Sequence, residues 1–416
     1  MAARLLTVVW ILVVVAAAGS SPHGSASGLR APRFQVLAHA DPKGGYSGDV
    51  VGERHFAYLS SRRGRTDCPA QGVRVYDLAN PRRPRHVSTF AALKDTWTEK
   101  TIVRRVKTSG FDGVLAVSSF QACSNGFGGF GLYDVTKPSH PRRLALVRTL
   151  PRGSHEIWLA TARGHAWVYT AEAAAEFAVA PDSFGFHIYD VSSPRKPVEV
   201  GGWSACRELH ECSPLTGPPG TDTRYLVHSV ITNAAATRAF LSYWNLGTVI
   251  LDIHDPAHPV YLGRTAAGQG NAHSAWLTGG GKIMLETHEL EHGRPVVWQI
   301  ADPAHPVQLA TVLLPAGLRP GGEFTGPSLT DSVHDPKVLG RYAYFSWYGQ
   351  GVALFDLTNP RKPRFVTRFR PPPERDEHDL LCPGASCTAV WGVFPTRKYV
   401  LASDLNSGLW VLSPPA

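Results

Sequence analysis

The sequence predicts an all-β fold: a seven-bladed β-propeller of four-stranded blades, with the last blade closed by the N-terminal strand. Three observations carry this expectation. First, a strand ending in Asp and followed by a double-proline turn recurs along the 416 residues. Its copies are Val73 to Pro84 (VRVYDLANPRRP), Gly131 to Pro141 (GLYDVTKPSHP), Phe186 to Pro197 (FHIYDVSSPRKP), Val249 to Pro259 (VILDIHDPAHP), Val296 to Pro306 (VVWQIADPAHP) and Gly351 to Pro363 (GVALFDLTNPRKP), with a truncated seventh from Gly408 to Pro415. The second prolines lie 57, 56, 62, 47 and 57 residues apart, a loosely held period that signals a repeat architecture. Second, 40 glycines, 33 prolines and only 2 methionines describe short strands punctuated by turns. Third, the seventh unit lacks a fourth strand, while Phe34 to Ala38 stands as an orphan strand ahead of the first unit. Pairing the two would lock the ring.

Taken in order, the chain opens with Arg4 and an apolar run of 14 residues, Leu5 to Ala18. A spanning helix needs ~20, and small residues around Ala16 to Gly19 offer a cleavage site. Residues 1–18 are therefore expected to be a secretory signal peptide, 19–33 a disordered Ser/Gly/Pro-rich lead-in, and 34–416 a single propeller domain. The expected location is outside the cell or on the envelope exterior, with no transmembrane anchor after processing. Six cysteines in an exported chain point to disulfides. Sequence proximity pairs Cys206 with Cys212 and Cys382 with Cys387. Cys68 and Cys123 remain, at matching places in neighbouring units, and should bridge them.

The sixth unit shows the parse. Ser332 to Leu339 and Tyr342 to Tyr348 are runs of strand formers about Gly340-Arg341. Val352 to Asp356 is the third strand, and Arg364 to Phe369 the fourth. Asp356 ends its strand where its carboxylate can accept bonds from turn N–H groups, Pro360 stops the ladder, and Pro363 sets up the next strand. Asp77, Asp134, Asp190 and Asp252 repeat the device, while the fifth unit has Gln299 and should lean on Asp302. Second strands are Phe56 to Ser60, Val114 to Ser118, Ala166 to Thr170, Ala239 to Tyr243, Lys282 to Leu285 and Tyr399 to Ser403. Ala171 to Val179 is the one stretch that resembles a helix. Such radial repetition leaves only short, protected edges.

The copies GLYDVTKPSHPRRLALV, FHIYDVSSPRKPVEVGGW and GVALFDLTNPRKPRFVTRF resemble LVIVD repeats, found in bacterial exported seven-bladed propellers. The resemblance covers roughly residues 34 to 416. It implies the fold and leaves activity open, since propellers host many functions. The spacing here exceeds the usual repeat, which implies long loops able to carry a site on one face.

Histidines recur at the start of four consecutive innermost strands: His155 in GSHEIW, His228 in LVHSV, His273 in NAHSAW and His334 in SVHDP. Equivalent positions of a ring converge on its channel. Glu99, Glu156 and Asp335 lie in or beside the same register. Converging imidazoles and carboxylates suit a divalent transition metal such as zinc, copper or iron. A fainter resemblance to selenium-binding-type propellers, in which channel histidines hold a metal used to oxidise small sulfur compounds, carries over by position to the same four histidines; the sulfur-handling motifs are absent.

His288-Glu-Leu-Glu-His292 matches the H-E-x-x-H protease pattern, but Gly293 and Pro295 follow at once and leave no room for the helix the chemistry needs. A polar hairpin loop is expected, with His288 and Glu289 as secondary candidates at the channel mouth. No nucleophile elbow, P-loop or dinucleotide fingerprint is present. Gly126 to Gly131 should be a flexible hairpin. Trp158, Trp244, Trp276, Trp347, Tyr348 and Trp391 are expected as blade-to-blade core. The net charge of +9 sits in turns such as Pro81 to Arg85 and Pro360 to Arg364. It fits a solvated basic surface or an anionic cell-surface polymer as partner, and export argues against nucleic acid. The leading expectation is a monomeric binding or scaffold protein with a metal in the channel. A metal-dependent oxidoreductase or hydrolase on the same histidines is the alternative, and a purely structural interaction module the third reading.

Overall fold

The computed structural model describes residues 32–43, 46–149, 153–172, 185–212, 225–267, 271–289, 292–320 and 328–415. Seven four-stranded antiparallel sheets form the blades. Their innermost strands are Tyr46–Glu53, Thr101–Lys107, Glu156–Ala162, Leu226–Thr232, Ala272–Thr278, Asp335–Leu339 and Val390–Pro395. Each inner strand packs on the next, and the seventh packs on the first, so the ring is closed. In the last blade Val36–Ala40 pairs antiparallel with Gly408–Leu412, the closure that the orphan strand implied. The expected signal peptide, 1–18, and most of the 19–33 lead-in lie outside the described residues. No helix among the described residues is long and apolar enough to cross a membrane.

An apolar cluster fills each blade interface, from Tyr58, Val75, Val114 and Tyr133 between blades 1 and 2 to Leu59, Leu401 and Val411 between blades 7 and 1. Strands in the inner part of a blade are therefore covered on both faces, as Leu226–Thr232 is along its whole length. Outermost strands such as Arg364–Phe369 are only half-buried. This is why second strands carry continuous apolar runs, such as 114–117 and 166–169. A bulge between the third and fourth strands recurs in every blade, for example between Leu354 and Phe355, and adds the local twist a radial sheet needs.

The Asp–Pro turns form as expected. Asp356 Oδ1 accepts from Thr358 N (2.8 Å), and Arg364 bonds Oδ2 at 3.0 Å. Asp77, Asp134, Asp190 and Asp252 accept from the N–H two residues on, and in the fifth blade Asp302 accepts from Ala304 N. Gly351, with φ of 86°, lies so close to the fourth strand that a Cβ would stand 2.0 Å from the Phe369 carbonyl oxygen.

Three disulfides join Cys68 to Cys123, Cys206 to Cys212 and Cys382 to Cys387. The first ties blade 1 to blade 2. Such bonds favour an oxidising or extracellular environment. Of the stretch that resembles a helix, Ala171 to Val179, Ala171 ends the strand His165–Ala171, and residues 173–179 lie outside the described residues. The α-helix among the described residues is the single turn Ala205–Leu209, which opens the loop closed by Cys206 and Cys212.

Candidate functional site

All seven inner strands enter the channel from one face, so the residues at their heads share a ring. That ring is Gly48, Glu99, His155, His228, His273, His334 and Trp391. The imidazoles form a continuous arc, with centroids 4.4 Å apart from His155 to His228, 4.0 Å to His273 and 4.4 Å to His334, and Trp391 follows at 4.1 Å. All four histidines and Glu99 are buried. Gly48 is required here, because a Cβ would lie 2.9 Å from the Glu99 carbonyl oxygen.

Neighbouring blades set the tautomers. His228 Nδ1 faces the His273 carbonyl oxygen at 3.2 Å, and His273 Nδ1 faces the His334 carbonyl oxygen at 2.7 Å. A carbonyl only accepts, so each Nδ1 carries the proton and each Nε2 presents a lone pair. That is the orientation in which an imidazole binds a metal, with its second nitrogen held by an outer partner. His155 Nδ1 meets Gln121 Oε1 at 2.7 Å and lies 3.1 Å from Glu99 Oε2, which likewise places its proton on Nδ1. His155 Nε2 and His228 Nε2 then meet at 2.9 Å with two lone pairs directed at each other. Two such lone pairs need a proton or a cation between them.

Other polar atoms of the ring are also unsatisfied. His273 Nε2 and both ring nitrogens of His334 are buried without a hydrogen-bond partner, and Glu99 Oε1 has nothing nearer than His334 Nε2 at 3.8 Å and Arg62 Nε at 3.9 Å. Native interiors hold few such atoms, because each costs about 1–3 kcal/mol. Glu289 stands at the rim, with Oε2 3.5 Å from His273 Nε2 and Oε1 accepting from Tyr348 Oη at 2.5 Å. One ligand atom each of His228, His273 and Glu289 all lie within 4.8 Å of one another. Burial first, then the neighbouring imidazoles, push His228 and His273 well below the ordinary histidine value. Burial also lowers His155, with Glu99 opposing. These histidines are neutral, the state a metal ligand requires. Burial would raise Glu99, but His155, His334 and Arg62 outweigh it and keep the carboxylate ionised.

One residue further along the strands, the channel is plugged by charge. Lys100 Nζ lies 3.0 Å from Asp49 Oδ2, 3.1 Å from Asp335 Oδ2 and 3.4 Å from Glu156 Oε1, so one ammonium joins blades 1, 3 and 6 from blade 2. Lys337 pairs with Asp335 as well. Gly392 leaves room for this network, since a Cβ there would stand 2.1 Å from Asp49 Oδ1. Burial would lower Lys100, but the three carboxylates hold it well above its usual value. Burial raises Glu156 to about 7, with Lys100 opposing.

Glu99 thus joins the histidine arc, whereas Glu156 and Asp335 belong to the plug. His288 joins neither. Its Nε2 meets Glu286 Oε1 at 3.1 Å and its Nδ1 the Arg294 carbonyl oxygen at 2.9 Å, within blade 5. His292 pairs with Asp331 instead, so the H-E-x-x-H residues do not converge; Leu290 and Glu291 lie outside the described residues. Trp244, Tyr348 and Trp391 line the arc, Trp347 is blade core, and Trp158 and Trp276 lie beyond the plug. Asp49, Lys100 and Lys337 were not singled out from the sequence. A charged residue one place after the head position, in Asp49, Lys100, Glu156 and Asp335, was the available signal.

No family model matches the chain, and no curated protein matches it. Solved structures match in fold. The computationally designed Ika8 protein aligns over 91% of this chain and 99% of its own, with a TM-score of 0.50 and 9% identity. Raptor from Chaetomium thermophilum aligns over 92% of this chain, with a TM-score of 0.58 and 12% identity, and this chain covers only 30% of it. At these identities the likeness shows the fold alone.

Proposed function

We propose that this chain is an exported propeller of the LVIVD-repeat kind that binds a divalent transition metal, zinc, copper or iron, at the histidine mouth of its channel. One observation carries the reading: His155, His228 and His273 are buried side by side with their Nδ1 protons engaged, so that the Nε2 lone pairs of His155 and His228 face each other and that of His273 faces Glu289. His228, His273 and Glu289 would hold the ion, with His155 and His334 beside it. The protein would act as a binding or scaffold module at the envelope or outside the cell. The exposed arginine turns of the opposite face offer an anionic cell-surface polymer or a protein a place to bind.

Elemental analysis of protein exported or refolded with these metals present tests the reading. Stoichiometric metal is expected in the wild type and is lost in the His228→Ala, His273→Ala double variant. Metal-free wild-type protein would sink the proposal. The second reading, a metal-dependent oxidoreductase or hydrolase, is favoured by the ligand count: three protein ligands leave a coordination position for water or substrate, whereas structural sites are closed by four.

A further inference from the structure

Beyond the plug the channel opens into a cavity of about 310 Å³, within the range of small-molecule sites. Its floor is the Lys100 network and its walls are apolar, chiefly Trp158, Trp276 and Phe394 with aliphatic residues such as Ile102 and Ile231. Trp158 and Trp276 meet edge to face at 5.8 Å, and both are half-buried, so the cavity reaches solvent. Apolar walls with a few convergent polar groups are what a small-molecule site needs.

The charges decide which class of molecule fits. The three carboxylates of the floor are already engaged: Asp49 and Glu156 with Lys100, Asp335 with Lys100 and Lys337. Lys337 lies over the Trp276 ring, 4.8 Å from its centroid. Arg104 differs from every other charged group in the cavity. Its guanidinium lies over the Trp158 ring at 4.5 Å, yet no carboxylate among the described residues is within ion-pair distance of it. A half-buried arginine without a carboxylate is a fork of donors lacking its acceptor.

We propose that this cavity binds a small aromatic or aliphatic carboxylate, its apolar body against Trp158, Trp276 and Phe394 and its carboxylate on Arg104. An organic cation is disfavoured because no carboxylate of the floor is left to receive it. The plug separates this site from the histidine arc, so the inference stands independently of the metal reading.

Calorimetric titration with 2-naphthoate, the neutral 2-naphthylmethanol and the cationic 2-naphthylmethylamine tests it on the full chain. The wild type should bind the carboxylate about tenfold or more tightly than the alcohol. Arg104→Gln should erase that preference and leave alcohol binding unchanged, and Arg104→Lys should retain part of it. His273→Ala should leave naphthoate affinity unaltered. A thermal melt confirms that each variant is folded. Equal affinity for carboxylate and alcohol, a preference that survives Arg104→Gln, or tightest binding of the amine would each overturn the proposal.

Discussion

The two faces of the ring are built from one chain by opposite means. On the face opposite the histidines, the connections between third and fourth strands, 78–84, 135–141, 191–197, 253–259, 300–306 and 357–363, all have seven residues and one hydrogen-bond pattern. On the histidine face the connections vary widely in length, from 245–246 to 204–225, and all three disulfides lie there. Repetition marks where the chain solves the same geometric problem each time, turning a strand outward at a blade edge. Irregularity marks where the blades take on unlike tasks around one site. Beyond the positive-φ glycines that open several third strands, Gly129, Gly247, Gly351 and Gly408, the loops there follow no common pattern, and covalent ties help to order them.

If that contrast is right, the largest loss should come from untying the irregular face. Replacing Cys68 and Cys123 together by Ser frees a pair 55 residues apart, and should cost about 4 kcal/mol in denaturant unfolding. A loss no greater than that of a single turn variant would break the comparison.

A smaller effect should come from pH acting on the channel. His155, His228 and His273 have lowered folded-state values, so the unfolded chain binds protons first, and stability falls as pH drops below about 6.5. Glu156, raised to about 7, works the other way: its contribution is present at low pH and lost as pH rises through about 7. Glu156→Gln should therefore steepen the acid loss between about pH 4.5 and 6.5, by up to about 1.4 kcal/mol per pH unit. Urea unfolding of metal-free protein at pH 5, 6 and 7 measures the slope, and an unchanged or shallower slope would contradict the assignment.

The smallest effect belongs to the regular face. Asp356→Ala removes the bonds to Thr358 and Arg364 in one of six like turns, and should cost about 1 kcal/mol in a thermal melt while leaving metal content unchanged. Asp302→Ala should match it if the fifth turn has transferred the role from Gln299.

Much of the regular face was legible in the residues. Asp356, Pro360 and Pro363 act within a few positions of one another, and local chemistry is what a sequence displays directly. The histidine register was legible for a related reason: His155, His228, His273 and His334 hold the same place in successive repeats, and a ring brings equal places together. His288 shows the limit of that logic. It lies in a suggestive motif, yet the turn after it directs both its nitrogens into blade 5.

The sequence by itself determined the number of blades, the closure by the N-terminal strand, the disulfide pairs and the histidine arc, because each depends on local pattern or on counting repeats. Only the tertiary structure decided which nitrogen of His228 and of His273 faces inward, since the partner of each is a backbone carbonyl of the next blade. It alone placed Lys100 against Asp335, 235 positions away, and left Arg104 over Trp158 with no carboxylate in reach. Those relations run across the channel, between residues that no period of the chain connects, and they exist only once the ring has closed.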